Sequence, residues 1–366
     1  MKVTNSYHSK YIFASIFCVA FNLCYAQIDS TKASIKISGY VEIFYQADFA
    51  NPLNHTRPNF VYAFNRHNEF NLNIGFLKAN YETEKLRANF ALMNGTYANA
   101  NLANEPGVLK NILEANAGIK ISKIKNVWVD AGVFALHLGF ESAIGKDCAN
   151  LTRSILADNS PYFETGAKIN YTSDNNKWYV SGLVLNGWQR IQRIDGNNTP
   201  AFGHQITYKP NIKVIVNSSS FIGNDKSDSV RQMRYFHNFY AHYQATNKMR
   251  ITVGFDIGAE QVAKGSSNYN SWYSPIFIIK YEVSPKYSVA ARLEYYKDKK
   301  GVIIAKTTPN GFQTLGYSIN YDYTINNNAM WRMEAKSYKA KDKIFNSGNK
   351  TIHTNFSLTT SLSISF

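Results

Sequence analysis

The chain has 366 residues, and 40 Lys and Arg against 25 Asp and Glu give a net charge of +15. The length admits two or three soluble domains or one large barrel. The charge admits nucleic acid, an anionic surface or an anionic solute as partner, but the 25 Tyr and 23 Phe in a chain only 45% hydrophobic place rings on one surface rather than in one thick core.

Residues 1–26 read as a secretory signal peptide. Lys2 and Lys10 give a positive start, Tyr11 to Leu23 form the apolar stretch, and Cys24 and Ala26 supply small residues for cleavage. Leu23 stands where a lipid anchor on Cys24 would need a small residue. The mature chain, 27–366, then keeps Cys148 alone, so an internal disulfide framework is excluded. Cys148 is expected to be an inert loop residue. No later apolar run reaches the roughly 18 residues of a membrane helix.

From residue 34 to the end, period-two alternation predicts about 16 strands of roughly 9–11 residues each, the length a tilted membrane strand needs. Their expected starts are Ser34, Glu69, Leu86, Asn111, Val127, Tyr162, Lys177, Ala201, Ile212, Tyr235, Met249, Asn270, Tyr287, Gly311, Ala329 and Ile352. Alternation is impure at Asn111, Lys177 and Ile212. In "SIKISGYVEIFYQAD", for example, Ile35, Ile37, Val41, Ile43 and Tyr45 share one face, and Lys36, Ser38, Glu42, Gln46 and Asp48 the other. Two loop segments, Pro106 to Asn116 and part of Glu141 to Phe163, read as briefly helical.

The connections sort by parity. Those after even-numbered strands are short and rich in turn residues ("ETEK", "SKIKN", "SDNNK", "KPN", "TNK", "SPK", "INNN"). Those after odd-numbered strands are long: 50–66, 95–110, 140–161, 190–200, 222–234, 262–269, 298–310 and 340–351. A soluble sandwich has no reason to sort its loops this way, whereas an outer-membrane barrel does, with short periplasmic turns and long extracellular loops. The expected fold is therefore all-β, a transmembrane antiparallel up-and-down barrel. Tyr81, Tyr171, Trp178, Tyr179, Tyr208, Tyr243, Tyr281, Tyr287, Tyr321, Tyr323 and Trp331 flank the short turns as one aromatic girdle. Trp188, Trp272, Tyr273, Tyr296 and Phe312 are expected to form the second.

A search for chemistry returns little. "GKD" at Gly145 to Asp147 lacks the rest of a phosphate loop. His237 and His242 are five apart, so a strand points them to opposite faces, and no Cys or His spacing suits a metal. A lipase on the barrel wall would need Ser beside His, and nothing in the sequence pairs His137 with a serine. No cofactor is implied, and an enzyme is not expected. The lysines of "SKIKN", "KDKK" and "KAKDK" lie in turns and loops, which argues against nucleic acid.

What remains is the polar face. Inside about 16 strands it lines a water-filled lumen, with Lys36, Glu42, Arg87, Lys168, Asp256, Arg292, Glu294, Arg332, Glu334 and Lys336 as candidate pore-lining charges. The basic surplus suggests mild anion preference. These charges equally well pair with one another.

The stretches "SGYVEIFYQADFANP", "RHNEFNLN", "VDAGVFALHLGFES", "LTRSILADNSPYFETGAKINY" and "VLNGWQRI", spanning roughly residues 38 to 194, resemble the β-barrel porin family of Gram-negative outer membranes described as OmpL-like. The resemblance implies passive diffusion of small hydrophilic solutes or ions, a site in the bacterial outer membrane, and outer-membrane lipid and the assembly machinery as partners; it leaves a homo-oligomer open. By analogy with general porins, Glu141 to Pro161 would fold inward and narrow the pore, with Lys146, Asp147, Arg153 and Asp158 as constriction charges. Phe366, ending "FSLTTSLSISF", resembles an assembly signal. Two other readings stand beside this one: a plugged barrel acting as a surface adhesin or binding protein, and a secreted soluble all-β binding protein such as a lectin-like sandwich.

Overall fold

A computed structural model describes residues 33–135 and 137–366; the expected signal peptide lies outside the described residues. Sixteen long strands close into one antiparallel barrel. They are β1 (Ser34–Asp48), β2 (Phe70–Glu82), β3 (Leu86–Asn94), β4 (Ile112–Lys120), β5 (Asn126–Ala135), β6 (Phe163–Thr172), β7 (Trp178–Leu185), β8 (Ala201–Asn211), β9 (Val214–Asn224), β10 (Met233–Gln244), β11 (Met249–Gln261), β12 (Tyr269–Ser284), β13 (Tyr287–Asp298), β14 (Phe312–Asn326), β15 (Ala329–Ala340) and β18 (Thr354–Ser365). Between the last two, β16 (Phe345–Ser347) and β17 (Lys350–Ile352) form a separate hairpin. Every expected strand is present, each starting within a few residues of its expected place.

Each strand pairs with its chain neighbours, and β1 closes on β18 with Tyr40 opposite Ser365. Closure leaves no open edge, which is the condition for a sheet to stand in lipid. At the seam the Gly39 N–H donates to the Phe366 carbonyl at 2.8 Å, and the Phe366 N–H donates back at 3.0 Å. The Phe366 ring covers Gly39, where an added Cβ would collide with it. The terminal aromatic and the glycine therefore fit as a pair.

The wall obeys the period-two rule. On β18, Phe356, Leu358 and Ile364 face outward, while Ser357, Thr359, Ser361 and Ser363 are buried inside. The even-to-odd connections are short (83–85, 121–125, 173–177, 212–213, 245–248, 285–286, 327–328). The others are long, as at 49–69, 136–162 and 299–311.

Two expectations need correction, and one helix was not expected. The segment from Pro106 holds only a short 3-10 turn, Gly107–Asn111, before β4 begins, because "ILEANAGIK" finds ladder partners on both β3 and β5. A helix at Thr96–Asn101 carried no periodic signal. The second girdle also differs. Trp272, Tyr296 and Phe312 occupy inward positions and are buried, and Trp188 packs inside on Phe221 and Phe236. Outward rings at that end are Tyr235 with Tyr269 and Tyr273 with Tyr295. At the short-turn end Trp178 stacks on Tyr208 at 4.1 Å and Tyr287 on Tyr323 at 5.1 Å, while Tyr179 turns inward.

Candidate functional site: the barrel interior

The 136–162 connection leaves the end of β5 and crosses the interior to the opposite wall of β13, β14, β15 and β1. It carries a 3-10 turn at Gly145–Asp147 and a single helical turn at Ile155–Asp158, capped by Ser154, whose hydroxyl accepts from the Ala157 N–H. Its backbone has left the sheet ladder and must find other partners inside the barrel. Wall side chains supply them. Asn320 accepts from the Leu151 N–H at 2.9 Å, Glu334 from Thr152 at 2.5 Å and Glu294 from Ile155 at 2.6 Å. Arg292 donates to the Thr152 carbonyl at 2.7 Å, Arg332 to Gly145 at 2.6 Å and Lys336 to Arg153 at 2.8 Å.

The same charges neutralise one another. Arg292 Nη2 lies 2.8 Å from Glu334, Lys336 Nζ 3.1 Å from Glu294, and Arg332 Nε 2.6 Å from Asp322. Glu141 adds a carboxylate 3.5 Å from Arg292 and accepts from the Ser154 N–H. Removing ions from water is costly unless each is paired and fully hydrogen-bonded, and this network meets most of that demand.

Consequently Glu42, Asp256, Arg292, Glu294, Arg332, Glu334 and Lys336 point inward as alternation requires but do not line water. All are buried, Arg332 at 0% exposure. Glu42 accepts from Asn73 at 2.9 Å beneath the loop, and Asp256 accepts from Asn238, which itself holds the Gly139 N–H. The reason lies in the third dimension: a loop distant in sequence covers them. The constriction charges divide similarly. Lys146 and Asp147 are exposed in a cavity of about 460 Å³ at the short-turn side. Arg153 and Asp158 are buried anchors. Arg153 donates to the Ser142 and Leu151 carbonyls, both at 2.7 Å. Asp158 accepts from the Tyr62 and Ala63 N–H groups, and burial raises its carboxyl to about 7.

The loop-side half of the interior is therefore a packed core. Phe60, from the 49–69 connection, contacts Phe312, Tyr338 and Phe345 with centroids 4.8–6.2 Å apart. A second cluster joins Tyr40, Phe44, Phe64, Ile74, Leu151 and Leu156. Cys148 is buried in the loop, its thiol pushed up by burial.

The turn-side half is polar and open. Arg87 lies over the Trp128 ring at 4.3 Å and holds Asp130 with two contacts of 2.6 Å, and Asn170 donates to the same carboxylate. Lys78 pairs with Glu114 at 2.8 Å. Lys168 lies over the Phe134 ring at 4.5 Å. All of these but Lys78 border a cavity of about 330 Å³. It shares Thr172 and Tyr179 with another of about 590 Å³, lined also by Lys177, Lys209, Tyr240 and His242. Lys36 is exposed at the same end, on the inward face of β1. Sequence reasoning missed Glu141 and Asp322 as charge partners, although Asp322 sits at an inward position of "YSINYDY".

On inward faces at this end, Lys36, Lys120, Lys168, Lys209 and Arg250 form no ion pair among the described residues, and only Glu82 and Glu282 are acids in the same state. The open half therefore carries an unneutralised positive charge.

Comparison with known proteins places these features. A family profile described as "Putative beta-barrel porin-2, OmpL-like" matches residues 34–366. Among solved structures, the anion-selective porin from Comamonas acidovorans superposes with a TM-score of 0.61 at 8% identity, covering 92% of this chain and 100% of that one. OmpT of Vibrio cholerae gives 0.59 at 9% identity (93% and 99%), and the outer-membrane channel DcaP of Acinetobacter baumannii 0.57 at 11% (93% and 99%). At such identities the likeness is one of fold. No curated protein matches the chain.

Proposed function

The chain belongs to the OmpL-like β-barrel porin family and is a porin of the bacterial outer membrane, and from that premise we propose that it passes small hydrophilic anions by diffusion. The observation that carries this reading is the unneutralised positive charge of the open half (Lys36, Lys120, Lys168, Lys209 and Arg250), which raises the local concentration of anions. A solved neighbour is an anion-selective porin, and its selectivity is extended here as part of the proposal. Lys146 and Asp147 meet the solute at the edge of the inward loop, while Arg153, Asp158 and the buried wall charges Arg292, Glu294, Arg332, Glu334 and Lys336 hold that loop in place.

In this reading residues 1–26 direct export and are removed. The short turns face the periplasm, Phe366 guides the assembly machinery, and outer-membrane lipid surrounds the wall. A neighbour described in a trimer form makes a homo-oligomer part of the proposal. Reversal potentials across a planar bilayer in a salt gradient test the selectivity: anion preference is expected, and cation preference overturns it.

A second reading has its own support in the aromatic packing of Phe60, Phe312, Tyr338 and Phe345 at the loop-side mouth. There the barrel is plugged and its loops bind. A wild-type chain that forms heat-modifiable barrels yet conducts nothing favours that reading.

A further inference from the structure

The loop-side mouth holds a pocket that is separate from the open half of the lumen. The connections 49–69, 299–311 and 341–353 enclose a cavity of about 450 Å³. Asn54, Arg57, Asn59, Lys306, Asn346 and Asn355 supply its polar lining. Beside it the Phe60 ring packs on Phe312 and Phe345, which ties the three connections together. Asn310 also donates its backbone N–H and its side-chain amide to Asp342, at 2.8 and 2.9 Å, linking the second connection to the third. A frame already fixed lowers the ordering cost of binding.

The hydrogen-bonding groups of the pocket are unequally used. Most side-chain acceptors are taken. Asn54 Oδ1 accepts from the Thr56 N–H at 3.1 Å, and Asn59 Oδ1 from Lys306 Nζ at 2.8 Å. The Asp48 carboxylate accepts from the Ala50 N–H at 2.9 Å and from Asn355 at 2.8 Å, and pairs with Arg57 Nη1 at 3.2 Å. Only Asn346 and Asn355 keep a free amide oxygen, and that of Asn355 is buried. The donors are open. Among the described residues, the amide nitrogens of Asn54, Asn59 and Asn346 have no partner, nor do Nε and Nη2 of the buried Arg57.

Charge points the same way. Lys306 is half-buried, and no carboxylate offsets the burial that lowers its ammonium from the ordinary value. Segments 297–311 and 339–353 carry eight lysines against Asp298 and Asp342. Asp298 is engaged by the N–H groups of Val302, Ile303 and Ile304, and Asp342 by Asn310. Open donors under a positive field call for an anionic, acceptor-rich ligand. The volume lies in the range of small-molecule sites and exceeds what a bare inorganic anion fills. The open amides come from two separate connections, so they reach groups spread over a ring. Pro52, Pro58 and Ile344 offer apolar sides for its C–H faces.

We propose that this pocket binds a sugar bearing a phosphate or carboxylate, with Lys306 and Arg57 holding the anionic group and Asn54, Asn59 and Asn346 the hydroxyls. Such a sugar occurs free in solution and within the lipopolysaccharide of an outer leaflet, and both present the same chemistry. The site stands at the mouth whether the lumen below conducts or is plugged.

Calorimetric titration of the full barrel in detergent tests this, with glucose 6-phosphate and galacturonic acid as probes and glucose and inorganic phosphate beside them. Saturable binding of an acidic sugar is expected, with glucose and phosphate each about tenfold weaker or more. Lys306→Gln is expected to weaken binding about tenfold and Asn346→Ala about threefold. Lys341→Gln removes the same charge outside the lining and is expected to change it less than about twofold. Exchanging Lys168→Gln and Lys209→Gln in the lumen should leave sugar binding intact while lowering anion preference in a planar bilayer. Failure of the pocket and failure of the anion-pore reading are therefore separate results. Displacement of the probe by rough lipopolysaccharide assigns the site to the membrane's own sugars, and no displacement assigns it to a free one. Absence of acidic-sugar binding overturns the proposal, as does equal binding of glucose or of inorganic phosphate. Equal loss in Lys341→Gln overturns it in favour of diffuse charge, and loss only in the lumen pair overturns it in favour of the pore.

Discussion

The two halves of the interior share one wall pattern and differ in what fills them. On the short-turn side, Arg87, Asp130, Asn170 and Lys168 border cavities. Along the wall of β13 and β15, Arg292, Glu294, Arg332 and Glu334 also face inward but are sealed under the 136–162 connection. The lesson is that an inward charge has two uses in a barrel. Where water reaches it, it sets the field that a solute meets. Where a loop covers it, it replaces the ladder partners that the loop backbone gave up.

The most direct way to break this contrast is to remove the loop. Deleting 143–157 is expected to raise single-channel conductance roughly two- to threefold by wetting the packed half, and unchanged conductance in planar bilayers would remove the loop's constricting role. Next in size is Arg332→Met. It leaves Asp322 with Lys280 as its remaining cation and strips the donor from the carbonyls of Gly145, Cys148 and Ala149, and breaking such a buried set costs about 3–5 kcal/mol. A marked drop in the temperature of the heat-modifiable transition checks it. Arg87→Met, whose partner Asp130 keeps Asn170 and faces a cavity, should lower that temperature much less.

A smaller effect comes from pH. Burial holds the loop carboxyl of Asp158 near 7, above its ordinary 3.8. The docked loop therefore prefers the protonated acid, and docking is strongest below about pH 4. It weakens as pH rises and is weakest once the folded group has ionised above about 7. Conductance should accordingly be larger at pH 8 than at pH 5, and Asp158→Asn should flatten the difference. Deleting Phe366 sharpens the contrast from outside it, because the seam belongs to neither half. Assembly yield should fall while the conductance of the assembled fraction stays unchanged, and a normal surface yield would count against an assembly role.

The wall was legible in the sequence because its rule is local. A strand turns successive side chains to opposite faces, so "FSLTTSLSISF" states its own inside and outside. Parity of loop length likewise needs no tertiary contact to be read. What failed were the positions where that local rule was overridden. Tyr40, Phe44, Ile276 and Ile278 are apolar and yet face inward, because a loop brings them an apolar partner. Trp272, Tyr296 and Phe312 look like girdle rings by position in the chain, but they face inward: Phe60 packs on Phe312, Tyr296 packs on Phe312 in turn, and Trp272 packs beside Phe236. Seven of the ten candidate pore charges faced the expected way and met protein instead of water.

The sequence by itself thus determined the barrel: its strands, their faces, and which connections are short. Only the tertiary structure decided where the longest connection goes, which charges it covers and which remain wet. It also brought Arg57, Lys306 and Asn346 to one pocket. The physical reason is the same in each case. Alternation is a property of consecutive residues, whereas burial of an inward charge and pairing across strands depend on segments that the chain brings together only by closing into a ring.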